Sequence, residues 1–208
     1  NATSVIATSA DETDLTDIDA ATTATVSSTG TAANATTVVT AAALATLNVS
    51  GNAAANYVTV AAGQAALTAI NVTGDQDVEV VLSAADHDTA ATALTLTDTS
   101  TAGTSTVNFS VISVSDLNTT AIAADVIQLS ADFDAETITY ATGQTFLISE
   151  EQDAGVGAGT AFTAAVATAA TNTLNITVDN DVAADVAATI TFTSLSAANT
   201  KTVTMSST

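Results

Sequence analysis

The sequence predicts an all-β chain wound as a parallel β-solenoid, or β-helix, of about 23 residues per coil and irregular in its later coils. Three observations predict it: apolar residues alternate with small polar ones, a nine-residue motif recurs at an offset of 23, and none of the 208 residues is proline. Alternation with period two gives a strand one buried and one wetted face. A recurrence of two dozen residues marks a coil that cannot bury its own apolar side and stacks on the next. In such a stack nearly every strand has a hydrogen-bonded neighbour on both sides, where a residue lacking N–H has no place.

The first forty residues are the least patterned. The acidic run Asp11-Glu12-Thr13-Asp14-Leu15-Thr16-Asp17-Ile18-Asp19 leads into Ala/Thr/Ser-rich sequence, and 1–40 reads as an exposed strand, an N-terminal cap or a linker within a single domain, 1–208. The repeat then declares itself: Leu44-Ala45-Thr46-Leu47-Asn48-Val49-Ser50-Gly51-Asn52 returns as Leu67-Thr68-Ala69-Ile70-Asn71-Val72-Thr73-Gly74-Asp75. A third copy aligns Leu94-Thr95-Leu96-Thr97-Asp98 on Ile70 at an offset of 24, with Asp98 in the place of Gly74. Residues 99–149 are irregular and read as coils carrying insertions. Glu150 to Gly159, acidic and glycine-rich, reads as a long surface loop. Thr160 to Thr171 is ambiguous, since its alanines favour helix and its threonines and valines favour strand. Alternation resumes at Leu174-Asn175-Ile176-Thr177-Val178 and Ile190-Thr191-Phe192-Thr193. At about 4.8 Å per coil, the chain makes about nine coils and a rod on the order of 40 Å long.

Composition narrows the function. Hydrophobic residues make up 47% of the chain, but much of this is alanine, and aromatics supply only 3%, so stability must come from many small stacked Val, Ile, Leu and Ala contacts. Twenty-two acidic residues face a single basic one, Lys201, for a net charge of −21. Phosphate backbones and anionic lipid surfaces are held by Lys and Arg, which excludes nucleic-acid binding and attachment to an anionic membrane surface. No apolar run approaches the roughly 20 residues of a spanning helix, so direct membrane insertion is not expected. Cysteine is absent, which removes disulfides, thiolate metal sites and cysteine nucleophiles. The first residue is Asn1, and the chain reads as a processed product or a piece of a longer protein.

Uncompensated negative charge destabilises a compact state unless cations condense on it, and calcium takes six to eight oxygen ligands from carboxylates, carbonyls and water. The candidate calcium ligands fall in five clusters: Asp11, Asp14, Asp17 and Asp19; Asp75 and Asp77; Asp86 and Asp88; Asp132 and Asp134; and Asp179, Asp181 and Asp185. Asp-x-Asp spacing lets two carboxylates reach one cation from the same side of a strand or turn. The plainer account is that Asp and Asn are ordinary turn residues. His87 is the only histidine, with no second His or Cys to complete a zinc site, and no Gly-x-Ser-x-Gly elbow exists to expose a nucleophile. With no Trp to platform a sugar, and only Lys201 to serve as a lyase base, the chain reads as non-enzymatic. Asn-x-Ser/Thr occurs at Asn1, Asn34, Asn48, Asn71, Asn108, Asn118 and Asn175, a frequency that alternation in a Thr-rich chain itself produces.

The Leu-x-x-Leu-Asn-Val-Ser-Gly and Leu-x-x-Ile-Asn-Val-Thr-Gly repeats, with Val126 to Asp132 and Thr137 to Gly143, resemble the β-solenoid region of RTX-type bacterial S-layer proteins. The resemblance implies export without disulfides, calcium binding and assembly of identical copies into a two-dimensional lattice on the outer cell surface, with cell-surface polysaccharide as a candidate anchor. The glycine-rich nonapeptide of RTX calcium rolls is missing, so no calcium ligand transfers from it. The expected function is therefore a structural, self-assembling, calcium-stabilised extracellular layer protein, with an adhesin stalk or filament-forming matrix protein as the alternative. Ice binding by flat threonine arrays is disfavoured because the sequence shows no sustained Thr-x-Thr ladder.

Overall fold

The computed structural model describes residues 4–9, 13–15, 18–28, 33–38, 41–52, 54–83, 94–111, 117–130, 137–149, 161–164, 172–178 and 202–207. Among them it is all-β, with seventeen strands: β1 (Ser4–Ser9), β2 (Thr13–Leu15), β3 (Thr23–Ser28), β4 (Asn34–Val38), β5 (Thr46–Gly51), β6 (Asn56–Val60), β7 (Ala69–Gly74), β8 (Val78–Ser83), β9 (Thr95–Asp98), β10 (Ser105–Val111), β11 (Leu117–Asn118), β12 (Val126–Leu129), β13 (Thr137–Tyr140), β14 (Thr145–Ile148), β15 (Ala161–Ala164), β16 (Thr173–Val178) and β17 (Thr202–Ser207). Every pairing is parallel. The first sheet has the order β1-β3-β5-β7-β9, and the second runs β17-β16-β14-β12-β10-β8-β6-β4-β2. A third, β11-β13-β15, follows the first, to which a Leu96–Ile122 bridge joins it. From β1 to β16 the chain thus passes from one face to the other with each strand, which is the β-solenoid the alternation and the repeat predict.

After a first step of 19 residues, from Ser4 to Thr23, the period is most regular from β2 to β8. Thr23 lies opposite Thr46 and Thr46 opposite Ala69, each a step of 23 residues, and Asn34 lies opposite Asn56, a step of 22. Side chains alternate inward and outward as the sequence requires: Leu47, Val49, Ile70, Val72, Val58 and Val80 are all buried in one continuous core, between a first face mostly of Thr, Ser and Asn and a second that also carries Tyr57, Glu79 and Val81. β1 to β4, within the first forty residues, pair in the same two sheets. β15 begins the ambiguous 160–171 segment as strand, and the remainder of that segment, the 150–159 loop and residues 190–193 lie outside the described residues.

One alignment is corrected. Ile70 faces Leu96, 26 residues on, and Val72 faces Asp98, so the third copy sits two residues away from the offset of 24. A two-residue slip leaves every side chain on its own face, so alternation could not detect it. Steps of 19 (Ile127 to Phe146) and 30 (Thr145 to Asn175) follow, confirming irregular later coils. Here larger side chains fill the core, with Phe109, Phe146 and Tyr140 fully buried, and the last two pack edge-on with centroids 6.3 Å apart.

Candidate interaction surface

A solenoid of this kind offers chemistry at three places: two sheet faces and the corners between them. On the first sheet, parallel register places equivalent outward residues in columns along the axis. One column runs Ser4, Thr23, Thr46, Ala69, Thr95; the next runs Ile6, Thr25, Asn48, Asn71, Thr97; a third runs Thr8, Ser27, Ser50, Thr73. The middle column is a side-chain hydrogen-bond ladder: the Asn71 amide donates to Asn48 Oδ1 at 2.8 Å, and the Asn48 amide donates to Thr25 Oγ1 at 3.2 Å. Thr8 and Ser27 hydroxyls meet at 3.4 Å in the third. Stacked amides of this sort hold a face flat and fix its register.

The second sheet is built differently. Tyr57 and Thr59 are exposed on it, and a bonded network crosses its centre, where Asn108 donates to Glu79 Oε1 (2.8 Å) and accepts from the Ser130 hydroxyl (2.5 Å). Gln128 donates to the Ser149 hydroxyl at 2.8 Å in the next coils. Several Asn-x-Ser/Thr asparagines are therefore structural: the amide nitrogens of Asn48, Asn71, Asn108 and Asn175 all donate hydrogen bonds between coils, and Asn118 Oδ1 caps a turn through the Thr120 amide and hydroxyl.

The corners carry most of the described acid groups. Asp75 and Asp77 lie together in the β7–β8 corner, both exposed. Neither is simply solvated: Asp77 Oδ1 accepts the Thr104 amide of the following coil at 2.8 Å, and Asp75 Oδ1 accepts from Gln76 Nε2 at 3.3 Å. Asp19 is exposed at the β2–β3 corner, and Asp14 lies on β2. The other candidate ligands, Asp11, Asp17, Asp86, Asp88, Asp132, Asp134, Asp179, Asp181 and Asp185, fall outside the described residues, as does His87. Among the described residues no three acid or histidine groups converge into a chelating set.

Two carboxylates absent from the candidates are bound into the fold. Asp125 Oδ2 accepts both the amide (2.9 Å) and the hydroxyl (3.1 Å) of Ser105, whose hydroxyl also accepts the Asp125 amide (3.0 Å). Asp98 caps its own turn, accepting the Ser100 amide at 2.8 Å and hydroxyl at 2.6 Å. Partial burial opposes ionisation of Asp98, but hydrogen bonds from the Ser100 hydroxyl and amide outweigh it and hold the carboxyl below its ordinary value.

Sequence reasoning also missed two glutamines. Gln64 Oε1 accepts the Ala41 amide of the preceding coil at 3.1 Å. Gln144 accepts from the Ala141 amide (2.9 Å) and the Thr119 hydroxyl (2.9 Å) and donates to the carbonyls of Thr119 (2.7 Å) and Ile122 (2.8 Å). The signal was present: each follows a glycine, Gly63 and Gly143, with φ of 93° and 86°, and these are the chain's two Gly-Gln pairs. A left-handed glycine turns the corner and aims the next side chain back under it.

Comparison with family models, with curated proteins and with solved structures finds no match to this chain.

Proposed function

We propose that this chain is a structural module of an extracellular, cell-surface layer, in which copies of the same rigid β-solenoid pack side by side and calcium offsets their mutual repulsion. The observation that carries this reading is the in-register stacking of equivalent residues on broad, regular faces, with the Thr25-Asn48-Asn71 ladder locking successive coils together. A face that repeats along its own axis can meet an identical face at many points at once, and periodic surfaces suit lattices better than they suit one small ligand. The net charge of −21 supplies the reason for a divalent cation. Asp77, Asp125 and Glu79 bond from coil to coil, and calcium in this proposal bridges acidic corners of neighbouring copies.

Electron microscopy and sedimentation of the protein, with calcium and after chelation, test the reading. Ordered sheets that dissolve on chelation are expected. Assembly indifferent to a chelator would remove calcium from the account, fibres in place of sheets would favour the filament or adhesin-stalk alternative, and a monomer under every condition would end the self-assembly reading.

A further inference from the structure

Among the described residues, charge is partitioned unevenly between the surfaces of the solenoid. Six described carboxylates lie at corners (Asp19, Asp75, Asp77 and Asp125), on the second sheet (Glu79), or at the end of β9 opposite buried Val72, off the outward columns (Asp98). None lies among the outward residues of β1, β3, β5 and β7, nor at Thr95 and Thr97 of β9. That face carries only hydroxyls, amides, one alanine and Ile6, which is 73% exposed.

We propose that this uncharged face of the first sheet is the surface by which one copy of the chain packs against a second copy, sheet against sheet; the proposal rests on the self-assembly reading above and names the contact. Two bodies of charge −21 repel wherever their acidic corners meet. They approach most closely where a broad face keeps like charge at its margins, since charges more than about 8 Å apart are largely screened at physiological salt. Thr, Ser and Asn pair across such a contact as donor and acceptor alike, and the amide ladder has already immobilised the central column, lowering the entropic cost of ordering it. Five strands about 4.8 Å apart, up to six residues long at about 3.3 Å each, present on the order of 480 Å² per copy. Two such patches bury on the order of 1,000 Å², the weak end of specific interfaces, which suits a contact strengthened by repetition within an array and not a tight isolated dimer.

The test places charge on each face in turn. Thr73→Glu/Thr97→Glu adds acid to the first sheet, and Thr59→Glu adds it to an exposed position of the second, with circular dichroism and thermal unfolding used to check the fold. In sedimentation velocity, wild type should associate with rising concentration and more strongly with added salt. The double variant should associate about tenfold more weakly or worse, and Thr59→Glu should match wild type. Should the double variant not fold, the milder Thr97→Cys and Thr59→Cys replace it. The native chain has no cysteine, so a bis-maleimide of about 10 Å reach, the spacing of packed sheets, can join only separate copies, and only Thr97→Cys should be joined. Wild type that assembles while the double variant assembles equally, or while the second-sheet variants are affected as much, overturns this contact and leaves the self-assembly reading standing. Wild type that stays monomeric overturns both. If that monomer also reshapes ice crystals, and the double variant does not, the face belongs to ordered water.

Discussion

Gly74 shows how closely one coil rests on another. Its φ is 110°, and a Cβ built there would stand 2.2 Å from the Gly51 carbonyl oxygen of the preceding coil, against rigid backbone that cannot yield. Gly74→Ala is therefore expected to lower stability in urea unfolding by roughly 2–4 kcal/mol, combining left-handed strain with the clash. Gly63→Ala, with φ of 93° and open space around its Cβ position, should cost only the strain, about 1–2 kcal/mol. Equal losses in the two variants would show that the coil contact at Gly74 contributes nothing. Asp98 gives a pH signature. Its carboxyl lies below the ordinary value near 3.8, so the native chain holds the ionised form more firmly than the unfolded chain does. That stabilisation is fully present above the unfolded value and is lost as pH falls through the lower native one. Asp98→Asn should therefore narrow its stability deficit against wild type as unfolding is measured at progressively lower pH through the aspartate range; a constant deficit would deny the linkage.

At the scale of the element, the corner is the unit that sequence reading undervalued. Turns Ile18 to Ala21, Ala41 to Leu44, Gln64 to Leu67 and Thr119 to Ile122 each close by a backbone hydrogen bond of 2.7–3.0 Å, and an inserted glutamine ties two of these turns to a neighbouring coil. Gln144→Leu keeps the bulk of the side chain and removes four hydrogen bonds, leaving the hydroxyl of fully buried Thr119 to rely on the Thr139 carbonyl at 3.1 Å. A loss of roughly 2–4 kcal/mol is expected by denaturant titration. A neutral result would mean that water replaces the amide at no cost. Strands, by contrast, were legible: Leu47, Val49, Ile70 and Val72 are buried where alternation places them. The step from Ile70 to Leu96 was not, because residue type at period two cannot distinguish shifts by even numbers.

Across the whole molecule the governing quantity is charge. With 22 acidic residues against one basic, self-repulsion falls on the native state more heavily than on the expanded chain, and salt screens it. Raising sodium chloride from a few millimolar to several hundred should raise the unfolding temperature, and calcium should do so at far lower concentration. A melting temperature independent of both would show that the corners are spaced widely enough for their charges to be indifferent to one another. The same repulsion opposes the Asp98 linkage, since partial protonation of the other carboxylates relieves it. Mild acidification should therefore stabilise the chain before stronger acid destabilises it.

The all-β class, the parallel coil and its period of about 23 followed from the sequence, because burying one face of each strand imposes period two and stacking identical coils imposes the repeat. The strongly acidic character, a net charge of −21, was equally plain. Tertiary structure alone decided which residues share a column, that Asn48, Asn71, Asn108 and Asn175 bond from coil to coil, and that among the described residues acid groups gather mostly at corners while the outward face of the first sheet carries none. Those facts depend on register between strands some two dozen residues apart, which is set by corner length and by core side-chain size, and local alternation carries no record of either.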